Sequence, residues 1–226
     1  MNLVADGFRL YRERFLSILL LSFTIVFPIL IVHALMTNYV YAVTSFLDGG
    51  VVGDFTNGML VLLFLMIAQI PFIVFTRYEQ EGSEHPLRST YFAFTQRGFS
   101  AYLFAMVYCA LVVAGFAVFI IPGLIIMILL FLTPYISILR DQPMRRSWKT
   151  ALRLGKKHFV RIFLLLVLVS LAELILEFGV LYGMSYVTTN YLIILFTQMV
   201  LNTVLFPLVV IIITMHVMDW KRKTWL

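Results

Sequence analysis

This chain is poor in charge, in cysteine and in the motifs of catalysis, and each shortage excludes something. Only 12% of its residues are Asp, Glu, Lys or Arg, against 62% that are hydrophobic. Soluble domains carry about 25% charged residues, so a soluble globular fold is excluded. A single cysteine, Cys109, excludes an internal disulfide. Set in an apolar run, it reads as a small packing residue. The sequence has no paired-histidine zinc helix, no phosphate-cradling glycine loop and no nucleophile elbow. Ser, His and acidic residues occur, but no spacing brings them together, so the expectation is a non-enzyme without cofactor or metal. The N-terminus does not read as a cleavable signal, because its first apolar run is too long and no small-x-small site follows.

What charge there is follows a pattern. The seventeen Lys and Arg residues fall in four stretches. They are Arg9, Arg12 and Arg14; Arg77, Arg88 and Arg97; Arg140, Arg145, Arg146, Lys149, Arg153, Lys156, Lys157 and Arg161; and Lys221, Arg222 and Lys223. The connections around 38–56, 121–123 and 184–190 contain none. Basic residues are retained on the cytoplasmic side of a membrane. The pattern predicts a multi-pass protein of the plasma (inner) membrane with six crossings and both termini cytoplasmic. The net charge of +6 then serves topology and anionic lipid headgroups rather than nucleic acid.

The fold class expected is all-α, in one membrane domain over 1–226. Each crossing needs about 20 apolar residues. Six runs meet this: Phe15 to about Met36, about Met59 to Thr76, Phe99 to Ile121, Gly123 to Leu139, Phe159 to about Tyr182, and about Tyr191 to Val217. Pro122-Gly123 predicts a tight turn between the third and fourth. The segment 38–56, with Asp48, Gly49, Gly50, Gly53 and Asp54, reads as a flexible exterior loop. Its two carboxylates lack the spacing of a calcium loop.

An internal repeat is visible. Residues 8–15, from Phe8 through Arg14 to Phe15, align with 152–159, from Leu152 through His158 to Phe159. Residues 92–99 are a looser copy. Pro71-Phe72-Ile73 before Arg77 matches Pro134-Tyr135-Ile136 before Arg140, with Pro207 a fainter third copy. Three units are predicted, about 1–78, 86–140 and 143–218, each a cytoplasmic interfacial helix followed by a transmembrane hairpin. Parallel units of this kind are related by an axis along the membrane normal.

From Met144 to Phe159, apolar or small residues at Met144, Trp148, Ala151, Leu152, Gly155 and Phe159 step by three and four along one helical face. Arg145, Arg146, Lys149, Arg153, Lys156 and Lys157 take the other. Pro143 suits the first turn, and Asp141 is placed to cap it. The reading is a basic amphipathic interfacial helix, with Trp148 and Leu152 toward the membrane and the cations on anionic headgroups. Pro86–Phe99 and Leu3–Phe15 are weaker versions.

Nine of the eleven acidic residues lie at or beyond the membrane edges. The others, Glu173 and Glu177, sit in the fifth span at a spacing that shares one face, and Ser170 joins them. Charge inside a bilayer is costly and points to function. The face is expected to point into the bundle or an outward-opening cavity. His33 is expected at the level of Glu177, and Gln198 or Asn202 to complete a polar patch, with Gln69 a further candidate partner. His216 reads as interfacial.

The stretch from Pro122-Gly123 through an apolar span, Pro134-Tyr135, Arg140-Asp141, Arg146-Ser147-Trp148, Ala151-Leu152 and Lys156-Lys157-His158-Phe159 resembles the membrane domain attached to some bacterial glycerophosphoryl diester phosphodiesterases, and related stand-alone six-helix proteins. The opening Gly7-Phe8-Arg9-Leu10-Tyr11-Arg12 also fits. The phosphodiesterase domain and its catalytic motifs are absent, so the resemblance does not bring activity. It implies a bacterial plasma-membrane protein with a role near envelope lipids. The leading expectation is a non-catalytic membrane protein that binds lipid or a protein partner. The rivals are a small transporter using Glu173 and Glu177 and, third, a membrane-embedded lipid enzyme.

Overall fold

The structure, a computed structural model, describes residues 3–48 and 50–224. Among these residues no strand occurs. The helices are α1 (Leu3–Glu13), α2 (Phe15–Leu21), a π-helical turn (Ser22–Val26), α3 (Phe27–Asp48), α4 (Val51–Ala68), α5 (Ile70–Gln80), α6 (Pro86–Val118), α7 (Ile120–Phe131), α8 (Thr133–Arg140), α9 (Met144–Lys157), α10 (Phe159–Ser185) and α11 (Tyr191–Thr224). Joined end to end, they give six helices long and apolar enough to cross a membrane.

The segment 38–56 is not a loop. α3 runs to Asp48 and α4 starts at Val51, so the connection shrinks to a turn carried by Gly50 at φ 98°, a backbone region open to glycine. A polar seam zips the hairpin. Thr37 donates to Asn57 Oδ1 at 3.4 Å, and the Tyr41 hydroxyl donates to the Asp54 carboxylate. Gly49 and the side chains of Asp48 and Lys223 lie outside the described residues.

The turn between the third and fourth spans also moves. The chain reverses at extended Phe119 (φ −168°, ψ 156°), so Pro122 and Gly123 fall inside the first turn of α7. Proline is tolerated there because the first N–H groups of a helix have no intrahelical partner. Gly123 serves contact rather than turning. A Cβ on it would sit 2.5 Å from the Phe116 ring, and one on Gly115 would sit 2.8 Å from Gly123 Cα. Apolar surface gains nothing by leaving lipid for protein, so helices in a membrane associate through close packing at small residues.

Helix breaks fall at positions that align in the sequence. α1 gives way to α2 at Arg14 (φ −112°, ψ 24°), and α9 to α10 at His158 (φ −114°, ψ 20°). α4 gives way to α5 at Gln69 and α7 to α8 at Leu132, each two residues before a proline. The other copies are unbroken. α6 runs through 86–99 without interruption, and α11 passes Pro207. The second unit therefore has no separate entering helix: nothing at Gln96–Phe99 interrupts the backbone hydrogen bonds.

α5 and α8 are the most continuously buried helices of the core. Ile70 to Thr76 and Thr133 to Leu139 are all buried. Hydroxyls back-bond along the first span: Ser22 Oγ donates to Ile18 O at 2.9 Å and Thr24 Oγ1 to Leu20 O at 2.7 Å. Such back-bonding competes with the helical ladder, and here it coincides with the π turn.

Candidate functional site

The basic end of the bundle is built around the last turn of α8. That turn closes on Asp141, in the left-handed region at φ 55°, and the Asp141 and Gln142 N–H groups donate back to Ile138 O at 3.2 Å and Ser137 O at 3.0 Å. Three helices add cations to the same end. The Arg77 guanidinium donates to Ile138 O at 2.7 Å, Lys221 Nζ to Leu139 O at 2.8 Å, and Arg97 to Ser137 O at 3.5 Å. Positive charge at a helix C-terminus is favoured by the helix dipole. Arg97 is also paired with the Asp141 carboxylate. Asp141 thus closes α8 and anchors α6; it does not cap α9, whose N-cap is extended Pro143.

A cleft of about 510 Å³ opens beside this turn, lined among others by Asp6, Arg9, Arg77, Glu81, Asp219 and Lys221. Its charges are matched within the protein. Arg9 meets Asp6 at 3.5 Å, Arg77 meets Glu81 at 2.8 Å and Arg222 meets Asp219 at 3.2 Å. Such a cleft has little net field for an anion. The sequence did not single out Arg77, Arg97 and Lys221. A signal existed: arginine ends both copies of the proline repeat, where helix termini need donors.

α9 presents the opposite situation. Arg145, Arg146, Lys149, Arg153, Lys156 and Lys157 are all exposed. Its buried residues are Met144, Ser147, Ala151, Leu154 and Gly155, packed on α7 and α8. Gly155 allows the approach, since a Cβ there would meet the Leu129 backbone at 3.1 Å. The covered face is therefore centred on Ser147, Ala151 and Leu154, rotated from the expected stripe. Trp148 is 41% exposed and Leu152 half-buried, both at the rim. Ser147, Ala151 and Gly155 let α9 approach closely, and Met144 and Leu154 fill the sides of that contact.

Just beyond α9, the His158 ring stacks on Trp220 with centroids 4.3 Å apart. Burial pushes the imidazole below its ordinary pKa, and the charges of Arg161 and Lys157 push the same way.

The intramembrane patch is not assembled. Ser170, Glu173 and Glu177 share a face of α10, but that face is bare: every residue from Ser170 to Gly179 is exposed. α10 packs on α11, α7 and α9. Ile162 is its only buried residue, and Phe159, Phe163, Leu165 and Leu166 pack against the core. Contact is thus concentrated in the first turns, and the carboxylates lie past it. They make no hydrogen bond or ion pair among the described residues. The expectation that their face points into the bundle is overturned. His33 sits in the α3–α4 hairpin, edge-on to Phe64 at 5.9 Å, one turn before Thr37 and two before Tyr41. Gln69 is buried at the α4–α5 break, donating to Met66 Sδ at 3.3 Å. Gln198 and Asn202 are half-buried on α11 without a hydrogen bond to either carboxylate. His216 is bonded to Ile212 O at 2.9 Å. No group of three or more metal-ligating side chains occurs among the described residues.

Comparison with known families, curated proteins and solved structures finds no match to this chain.

Proposed function

We propose that this is a non-catalytic, multi-pass protein of the bacterial plasma (inner) membrane, with both termini cytoplasmic, that binds anionic lipid headgroups through α9. One observation carries the reading. Six cations stand uncovered on one side of α9 while its other side is fixed against α7 and α8. Each cation near an anionic surface contributes about 1 kcal/mol, and a helix already held in place loses little freedom on binding. The matched charges of the neighbouring cleft make α9 the uncompensated part of the basic end. The aligned breaks at Arg14 and His158 and at Gln69 and Leu132 support units in which an entering helix precedes a hairpin. The resemblance to the membrane domains of glycerophosphoryl diester phosphodiesterases points to the same surroundings, near envelope lipids. Transport through Glu173 and Glu177 has less support, because the cleft at the basic end is not lined by them.

The test uses the full chain in mixed phosphatidylcholine and phosphatidylglycerol bilayers, with spin-labelled lipids reporting which headgroup is immobilised at the protein. The expected result is selectivity for phosphatidylglycerol that weakens with salt and falls in Arg145→Gln/Arg146→Gln/Lys149→Gln/Arg153→Gln. Selectivity unchanged by those four substitutions removes the reading.

A further inference from the structure

We infer that α10 is the docking helix for a separate membrane helix carrying a lysine or arginine at the depth of Glu173 and Glu177. The inference goes beyond the headgroup reading of α9 and does not depend on it.

The first observation is coverage. Only 6% of the most apolar stretch of Phe159–Ser185 is buried, against 28–56% for the other five spans. The bare part begins at Ser170 and contains both carboxylates.

The second is depth. Glu173 and Glu177 follow the start of α10 by about 21 and 27 Å at about 1.5 Å per residue, which falls within a hydrocarbon core of about 30 Å. A carboxylate facing lipid at that depth is strongly disfavoured, and intramembrane charges normally pair or face a wet interior.

The third observation identifies the occupant. The chain has no Lys or Arg between residues 15 and 76, 98 and 139, or 162 and 220, so no cation of its own reaches the pair. His33 is held in the α3–α4 hairpin. A second copy docking through the same face would set carboxylates against carboxylates, and like charges in an interface select against that partner. A basic helix supplies what is missing. Its ammonium or guanidinium can donate to two carboxylates one turn apart, and charge-assisted hydrogen bonds are the strong ones. Gly179 and Gly183 have no neighbour where a Cβ would stand, but they lie about a third of a turn round the helix from the carboxylates. They mark the face that a second copy would use instead.

The probe is a synthetic poly-leucine transmembrane helix with one lysine two-thirds of the way across, and an all-leucine helix is its control. Each carries an acceptor dye. The full chain carries a donor at its C-terminus, in phosphatidylcholine vesicles. Energy transfer should show the lysine helix binding about tenfold more tightly than the control, as for a polar contact of this size between membrane helices. Glu173→Gln/Glu177→Gln should abolish the difference without moving the melting temperature. Glu173→Lys/Glu177→Lys should transfer the preference to a glutamate-bearing helix. Equal binding of lysine and all-leucine helices overturns the proposal, as does a lysine preference that survives the double glutamine variant. Self-association that excludes the lysine helix and ignores both substitutions overturns it in favour of a second copy.

Discussion

The most apolar stretches of the spans Ile120–Arg140 and Phe159–Ser185 have mean hydropathies of 2.2 and 2.6, yet 56% of the first stretch is buried in the protein and 6% of the second. Hydropathy therefore records that both belong in lipid and says nothing about which is wrapped by its neighbours. Packing separates them. The covered span carries small and polar residues that fit a helix interface: Gly123 against Phe116, and buried Thr133 and Ser137. It also ends on three cationic side chains from other helices. The uncovered span is leucine-rich, with two carboxylates that its own chain does not partner. Without a hydrophobic gain from helix association, shape and hydrogen bonding decide which helices close together.

The comparison breaks most directly at glycine. Gly123→Leu must displace the Phe116 ring, and overpacking of this kind costs about 3 kcal/mol. Gly179→Leu meets open space and should leave stability within about 0.5 kcal/mol. Thermal unfolding in detergent measures both, and equal losses would mean that α10 is covered by its own chain.

The cation cap gives the next largest effect. Arg77→Ala removes the charged donor from the Ile138 carbonyl, which keeps the Asp141 N–H, and should cost about 1.5 kcal/mol, as for a hydrogen bond to a charged group. Lys149→Ala, on the exposed face of α9, should cost less than about 0.5 kcal/mol. If both cost the same, the contacts of Arg77 at the end of α8 add nothing to stability.

The smallest effect is a pH dependence at the end of α9. His158 has a folded-state pKa below the ordinary value, so the unfolded chain binds the proton more readily. Its contribution to stability is complete above the unfolded pKa of about 6.5 and falls as pH drops below that value. The melting temperature should decline between pH 7 and 5, and His158→Gln should flatten that decline. An unchanged slope in the variant would place the titration elsewhere.

The residues that were legible in advance are those whose signal is local. Five of the six apolar runs lie within spanning helices, and the third, Phe99 to Ile121, overruns its helix by three residues, because length and composition set the runs. The aligned sequences around Arg14 and His158 break at the same place because the same short pattern meets the same start of a span. The exposed cations of α9 followed from period and charge. Less legible was anything that needs a neighbour. Pro122-Gly123 looked like a turn, but the chain reverses at Phe119 so that two glycines can meet. The glycines of 38–56 looked like a loop, but Tyr41 and Asp54 extend the hairpin. Met144, Ala151 and Gly155 of the expected stripe are packed, but the covered face also takes Ser147 and Leu154 and leaves Trp148 at its rim.

Sequence by itself thus determined that this protein is helical, which stretches are apolar enough to cross a membrane, and where its cations gather. These are properties of single segments, set by transfer between water and lipid. Tertiary structure alone decided that α5 and α8 are the most deeply buried helices, that Arg77, Arg97 and Lys221 converge on one helix end, and that Glu173 and Glu177 face outward. Those outcomes depend on which helices approach closely. That is settled by small residues, helix breaks and the carbonyls at helix ends acting across the whole chain, at separations no local pattern encodes.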